Sequence, residues 1–347
     1  MTSRRASQGK AADEAGFCYD RSIVIDGCGG PPGIELGPLR AGVTAMHITL
    51  SYGQSKNVFD DTLRAIHDHY VLVEELAGAA LVVETVADIH RAKSSGALGL
   101  IFALQDCALI GHDIYLLEIL KRLGLRVIQL TYNEENQIGD GCLATGNREL
   151  THFGKRVVRE LNRLGIVIDL SHTGIATSLS AIETSTLPPI FSHSNAYALT
   201  PNPRCINDSQ IRAIAAAGGV IGVSPFAPMC TNRSTPPPNL EDYLRHVEYM
   251  ADLAGTDHVA IGTDIFERLT ALEWNSTSKR SYPEVMGSTT FDTLYCDGFT
   301  RIDDLGSIAS ALLERSFSAS EVAGIMGGNL LRIYEACWSR GKRGEAS

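Results

Sequence analysis

Short β-branched runs recur along the chain, each followed by a longer stretch of helical period, and a polypeptide patterned this way has few folds open to it. Eight such runs stand out, at residues 23–27, 42–48, 98–105 and 127–132 in the first half and 166–171, 189–193, 220–225 and 259–264 in the second. Strands joined through helices pair in parallel, because only antiparallel neighbours can be linked by tight turns. An open nucleotide-binding sheet would carry a glycine fingerprint after its first strand. None is present, so the pattern favours an α/β fold closed into a (β/α)8 barrel of the TIM type. The expected organisation is one barrel domain over 21–338, with a flexible N-terminal tail at 1–20 and a C-terminal tail at 339–347.

Composition and charge narrow the function classes. Of 347 residues, 44% are hydrophobic and 20% charged, which excludes a disordered or fibrous chain. The net charge of -10 opposes phosphate backbones, so no nucleic-acid partner is expected. The richest apolar run, 72–83, is broken by Glu74 and Glu75 and is too short to span a membrane. The basic N-terminus has no apolar stretch behind it and lacks the plan of a secretory signal. Eight cysteines (Cys18, Cys28, Cys107, Cys142, Cys205, Cys230, Cys296 and Cys337) are scattered without a CxxC pair, which predicts reduced thiols and a cytoplasmic location.

Two helices announce themselves through their ends. Thr151 heads a segment in which Phe153, Val157, Val158 and Leu161 share a face and Gly165 provides the stop. Asp208 similarly caps a segment carrying Ile211, Ile214 and Ala215 on one side. From about 267 to 299 no period is visible, and an irregular stretch of that length reads as a functional lid.

In a barrel the carboxyl ends of the strands point into one shared site. Those ends carry Asp26, Cys28, His47, Gln105, Asp106, Tyr132, His172, His193 and Asp264. His172 and His193, at equivalent positions of neighbouring strands, form an imidazole pair suited to zinc. Asp264 ends an apolar strand and needs a partner to offset its desolvation. Arg204, on the loop after the sixth strand, has the planar fork that holds a carboxylate in bidentate fashion.

The order of several motifs resembles the membrane (renal) dipeptidase family, peptidase family M19. They are Ile168-Asp-Leu-Ser-His172, Phe191-Ser-His-Ser-Asn-Ala196, Asn202-Pro-Arg204, Ala217-Gly-Gly-Val-Ile-Gly222, Ile261-Gly-Thr-Asp264 and Gly327-Gly-Asn-Leu-Leu-Arg332, with Leu130-Thr-Tyr-Asn133 and Ile138-Gly-Asp-Gly-Cys142 between the early strands. The resemblance implies a distorted (β/α)8 barrel, metallo-dependent hydrolase-like, carrying two zinc ions and hydrolysing dipeptides. Under it His172, His193 and Asp264 are metal ligands, and Arg204 holds the substrate's terminal carboxylate. Tyr132 stands where animal members have a substrate-contacting histidine, and Arg204, Tyr132 and Asn195 are the expected substrate contacts. The family's lipid-anchor signal has no counterpart in the tail, so no membrane partner is expected.

Departures from the family pattern are concentrated on one metal. Cys28 and Gly30 occupy the places of its first-strand His-x-Asp pair, and Gln105 the place of its bridging glutamate. Two dications about 3.5 Å apart repel by roughly 19 kcal/mol at an effective dielectric near 20, so losing the carboxylates disables a dinuclear centre. At most one zinc per chain is expected, with Cys28, His47 or Asp106 as compensating ligands.

Three readings follow. The first is a mononuclear hydrolase acting on a dipeptide-like small molecule. The second is a biosynthetic, non-hydrolytic or metal-free enzyme using Asp264, Tyr132, Gln105 or Cys28. The third is an inactive binding homologue. A homodimer is compatible with each.

Overall fold

The computed structural model describes residues 19–32, 36–51, 57–233 and 236–339. Cys18 and nearly all of both expected tails lie outside the described residues.

Nine strands form one sheet: β1 (Ile25–Gly29), β2 (Ala45–Ser51), β3 (Ala80–Val82), β4 (Leu98–Leu104), β5 (Leu125–Gln129), β6 (Val167–Asp169), β7 (Ile190–Phe191), β8 (Val220–Val223) and β9 (Val259–Ile261). Every pairing is parallel, and eight of the strands follow the order β1-β2-β4-β5-β6-β7-β8-β9. A further parallel bridge, Gly29 to Ile265, brings the exit of β9 back against β1 and nearly closes an eight-stranded barrel. Strand β3 stands off this circle, pairing with Leu98 to Leu100 of β4, while β5 takes the same edge from Phe102 onward.

All eight expected strands exist, but most end two or three residues sooner than their sequence pattern. The polar residues that follow leave the ladder to bond with neighbouring strands. β1 instead lies two residues further along than 23–27. Strand β3 is an addition: the apolar run 72–83 divides between the end of helix Val58–Glu75 and this three-residue strand, too short for a period of two to show.

Alternation across each strand makes two apolar layers. Ile25, Ala45, Ile101, Val127, Val167, Ile190, Val220 and Ala260 point inward, and the last helix, Asn329–Trp338, closes this interior from below with Leu330, Ile333, Tyr334 and Trp338. Outward residues such as Leu98, Leu100, Phe102 and Leu104 of β4 meet the surrounding helices. With the floor plugged, the opposite mouth is left for a site. Among the described residues no helix is long and apolar enough to cross a membrane.

The helix His152–Leu164 ends as its sequence demands: Thr151 Oγ1 accepts from Gly154 N at 2.9 Å, and Gly165 takes the left-handed conformation at φ 70°. The second cap needs correction. Asn207, not Asp208, accepts from Gln210 N at 3.0 Å, and Gln210 Oε1 accepts from Asn207 N in return. Asp208 is the first helical residue of Asp208–Ala216, where its charge meets the positive end of the helix dipole.

Candidate metal centre and substrate cavity

Two buried aspartates use one local device to shape the barrel mouth. Asp169 Oδ1 accepts from Ser171 N, two residues on, and from Ser192 N of the next strand's exit, while Oδ2 accepts from Ser192 Oγ at 2.5 Å. Asp26 repeats this: Oδ1 accepts from Cys28 N and Thr263 N, and Oδ2 from Thr263 Oγ1 at 2.6 Å. Burial pushes both carboxyls upward, Asp26 to about 7, against the pull of these donors. The first clasp carries His172 and His193; the second joins β1 to the loop of Asp264.

A β-bulge assists the second clasp. Asp26 pairs with Met46 and Gly29 with Ile48, so β1 spends one residue more than β2 over that span, and the extra residue re-aims the Cys28 side chain. Close backbone packing brings His193 to its place. A Cβ on Gly222 or Gly262 would stand 2.0 or 1.7 Å from the Ser192 carbonyl oxygen, so these positions admit no side chain.

The two histidines are neutral and oriented. Burial, reinforced by the Arg204 charge, pushes both imidazoles well below their ordinary pKa. His172 Nδ1 lies 2.6 Å from Asn133 Oδ1, an acceptor, so Nδ1 carries the proton. Ser192 Oγ gives its proton to Asp169 and therefore accepts from His193 Nδ1 at 2.7 Å. Both Nε2 atoms are left with lone pairs, and they face each other at 3.0 Å. Facing lone pairs repel, and a cation relieves them. The residues thus fit a divalent metal, with carboxylate and amide partners fixing the ligand tautomers.

The rest of the donor set gathers around Cys28. Cys28 Sγ is 3.5 Å from Asp264 Oδ1, and Gln105 Nε2 donates to Cys28 Sγ at 3.2 Å and to Thr49 Oγ1 at 3.0 Å. Burial pushes the Asp264 carboxyl up to about 6, with the Arg204 charge pulling the other way. Burial and the Asp264 charge push the Cys28 thiol well above its ordinary range. Among the described residues, the one trio whose ligating atoms all lie within 4.8 Å of one another is Cys28, His193 and Asp264. The expected ligands His193 and Asp264 are both in this trio; His172, whose Nε2 is 3.0 Å from His193 Nε2, is not.

Six non-glycine residues among those described have positive φ, and three of them, Asn133 (52°), His172 (61°) and Asp264 (55°), stand in this site. Strain of about 1–3 kcal/mol each is held here by the surrounding hydrogen bonds.

A cavity of about 770 Å³ opens over the donors, lined by Gln105, Tyr132, Asn133, His172, Arg204 and Asp264 below and by Phe266, Trp274, Tyr282, Val285, Met286 and Leu294 above. The upper wall comes from the irregular stretch 267–299, which folds into the short helices Ala271–Ser276, Ser278–Ser281 and Pro283–Met286 and acts as the expected cover. Tyr295 pins it down by donating to the Asp264 carbonyl at 2.8 Å while accepting from Phe266 N. Arg204 is only 4% exposed; its Nη2 donates to the His193 carbonyl at 3.2 Å, and no described carboxylate pairs with it. A buried guanidinium in that state favours an anionic ligand.

Several sequence expectations change. Asn195 lies away from the cavity, its amide bonded to Ser224 O, Met229 O and Ser224 N. His47 reaches inward but is occupied by the Tyr334 hydroxyl at 2.5 Å, beside the barrel floor. Asp106 accepts from Asn136 Nδ2 and Ala108 N and faces a separate cleft with Glu134 and Glu135. Neither belongs to the described trio of Cys28, His193 and Asp264. Gly30 cannot regain an acidic side chain without displacing the lid, because a Cβ there would lie 2.6 Å from Phe266 Cδ1 and 3.1 Å from Phe266 Cα. Tyr132 lines the cavity and stacks on His172 with ring centres 4.2 Å apart. Sequence reading missed the roles of Asn133, Asp169 and Ser192; the repeated carboxylate followed two residues later by Cys28 or Ser171 was the available signal.

The model of the membrane dipeptidase family, peptidase family M19, matches residues 35–286. The chain belongs to that family. Dipeptidase aclJ of Aspergillus oryzae is 25% identical over 285 residues, covering 81% of this chain and 62% of that protein. Dipeptidase tcpJ of Claviceps purpurea is 28% identical over 250 residues, 71% of this chain and 52% of that protein. The chain thus spans between half and two thirds of the length of these curated relatives. Among solved structures, an amidohydrolase from Pseudomonas aeruginosa superposes with a TM-score of 0.83 at 29% identity, covering 92% of this chain and 98% of that one. A Rhodobacter sphaeroides metallopeptidase, liganded with a phosphinate mimic of the dipeptide L-Ala-D-Ala, shares the fold with a TM-score of 0.76 at 19% identity, covering 91% and 100%. As an M19 member the chain has a dipeptidase-like barrel in a family of zinc hydrolases, in agreement with its motifs.

Proposed function

We propose that this M19 protein is a hydrolase with a single metal ion, acting on a dipeptide-like amide whose free carboxylate binds Arg204. One observation carries the reading: His172, Asp264 and a buried guanidinium with no described carboxylate partner line one covered cavity, with the His193 imidazole 3.0 Å behind His172 Nε2. Loss of the second metal is supported by the Gln105 amide and by Phe266, whose ring fills the space beside Gly30.

His193 and Asp264 would hold a zinc ion, which when bound would supply Lewis-acid polarisation of the scissile carbonyl and an activated water. The chain's own groups do the rest. Arg204 fixes the carboxylate and so places the amide over the donors. Asn133 and the Asp169–Ser192 pair hold the protons of His172 and His193 on Nδ1. Tyr132 keeps the His172 ring in plane, and the lid excludes water. Gln105 has no proton to exchange at neutral pH and acts by positioning Cys28. The lid's apolar wall, with the buried Trp274 indole N–H lacking a hydrogen-bond partner among the described residues, suits a largely apolar substrate side chain that carries an acceptor.

Elemental analysis combined with a dipeptide panel tests this. The expected result is one tightly held zinc per chain and hydrolysis of dipeptides with a free carboxyl terminus, stopped by chelator. Two dialysis-resistant zinc ions, or a one-zinc protein inert to every dipeptide, would refute it.

A further inference from the structure

We propose that Cys28 is a metal ligand, binding as a thiolate and forming with His193 Nε2 and Asp264 a mononuclear sulfur, nitrogen and oxygen centre for a borderline-soft ion such as zinc. This rests on the single-metal reading above and specifies its ligands.

Geometry comes first. A tetrahedral ion with sulfur at about 2.3 Å and oxygen at about 2.0 Å spans a sulfur-to-oxygen edge of about 3.5 Å. The Cys28 Sγ to Asp264 Oδ1 separation is 3.5 Å, and a ring nitrogen of His193 lies within 4.8 Å of both; Ser192 Oγ occupies Nδ1, which leaves Nε2 as the ligand atom. His172 Nε2 stands 3.0 Å from His193 Nε2, and His172 and Asp264 both line the cavity, so a fourth ligand would enter from the cavity side. Three protein ligands and one open position is the arrangement of a catalytic zinc.

Gln105 supplies the second argument. Its Nε2 donates to Cys28 Sγ at 3.2 Å while its other contact, Thr49 Oγ1, holds the amide in place. An N–H directed at sulfur favours the thiolate, as outer-shell donors do for metal ligands. A glutamate at 105 would oppose a carboxylate to that sulfur. The amide at 105 and the sulfur at 28 are therefore matched, and the two departures from the family pattern become one change of ligand chemistry. The β1 bulge and the bond from Cys28 N to Asp26 Oδ1 aim the sulfur.

The step balances without a redox partner. The Sγ–H bond breaks, the sulfur-to-metal bond forms, and one proton leaves to solvent per ion bound. A thiolate in the set disfavours magnesium and calcium, which take oxygen ligands.

Cobalt(II) loaded in place of zinc reads the sulfur directly. The wild-type protein should show a near-ultraviolet sulfur-to-cobalt charge-transfer band, and Cys28→Ser should lose it and bind zinc more than about tenfold less tightly. The remaining cysteines are present in both proteins, so the lost band belongs to Cys28. Gln105→Glu should weaken the band and the affinity together. Zinc-edge X-ray absorption on the wild type, independent of whether the variants fold, should show one sulfur at about 2.3 Å. One bound ion with only nitrogen and oxygen neighbours, or a band that persists in Cys28→Ser, would overturn the ligand assignment while leaving the single-metal hydrolase standing. A protein that takes up no metal would overturn both.

Discussion

Removing the Arg204 side chain should abolish discrimination between a dipeptide and its carboxyl-terminal amide. The guanidinium is almost fully buried in the cavity, its Nη2 bonded to the His193 carbonyl and its charge without a described carboxylate partner. An arginine has five N–H donors, so enough remain for a fork onto a ligand carboxylate. A hydrogen bond to a charged group is worth about 1.5–3 kcal/mol, which corresponds to roughly 10- to 150-fold in affinity. Wild-type protein should therefore bind the free dipeptide about 10- to 150-fold more tightly than the amidated one, as measured by calorimetry. In Arg204→Ala that ratio should fall below about threefold, because the contact that distinguishes the two ligands is gone. Arg204→Lys should fall between them, since an ammonium keeps the charge and loses the fork. The amidated ligand serves as the internal control, since any general damage from the lost bond to His193 weakens both ligands alike. If Arg204→Ala still discriminates as the wild type does, the carboxylate lies elsewhere and the proposed pose is wrong.

Cys28→His, Gly30→Asp and Gln105→Glu together restore, by family resemblance, the ligands of a second ion. The collision of a residue-30 Cβ with Phe266 predicts that this triple variant still holds at most one zinc and that Phe266→Ala must be added for two; elemental analysis showing two in the triple variant alone contradicts this. His246 accepts from Ala196 N through Nδ1, and burial lowers its pKa to about 4. The unfolded chain, with an ordinary value near 6.5, binds the proton first, so stability present above about pH 6.5 is lost as pH falls toward 4, by about 3 kcal/mol. Urea unfolding of His246→Gln should show a shallower acid slope than wild type, and equal slopes would exclude the assignment. Gly262→Ala, whose Cβ would stand 1.7 Å from the Ser192 carbonyl oxygen, should cost about 3 kcal/mol or more; a wild-type melting temperature would show that the β7 exit can move.

Much of the barrel was legible because alternation is local. A parallel strand buried on both faces is a continuous apolar run, and all eight barrel strands carry one. Their ends were misplaced because a side chain such as Asp169, bonding across to Ser192, ends the ladder before the β-branched composition does. Strand β3 left no signal, since three residues complete barely one period. The lid was visible only as missing periodicity, and its apolar inner wall has no pattern that points to a cavity. Asn195 and His47 were the right residue types at strand ends, but which way a side chain turns depends on the neighbours it meets. Ser224 and Tyr334 claimed them.

By itself, the sequence determined the eight strands of the parallel barrel and the places where they end near its mouth, because these follow from periods of two and 3.6 read over a few residues. It also set Cys28, Gly30 and Gln105 where the family resemblance implies a His-x-Asp pair and a glutamate. Only the tertiary structure decided that Cys28 faces Asp264 while Gln105 donates to its sulfur, that His172 stands outside the trio of Cys28, His193 and Asp264, and that Phe266 fills the space beside Gly30. Those relations join residues up to 236 positions apart, and they depend on one extra residue in β1 and on angstrom-scale contacts between strands. No local pattern encodes such distances.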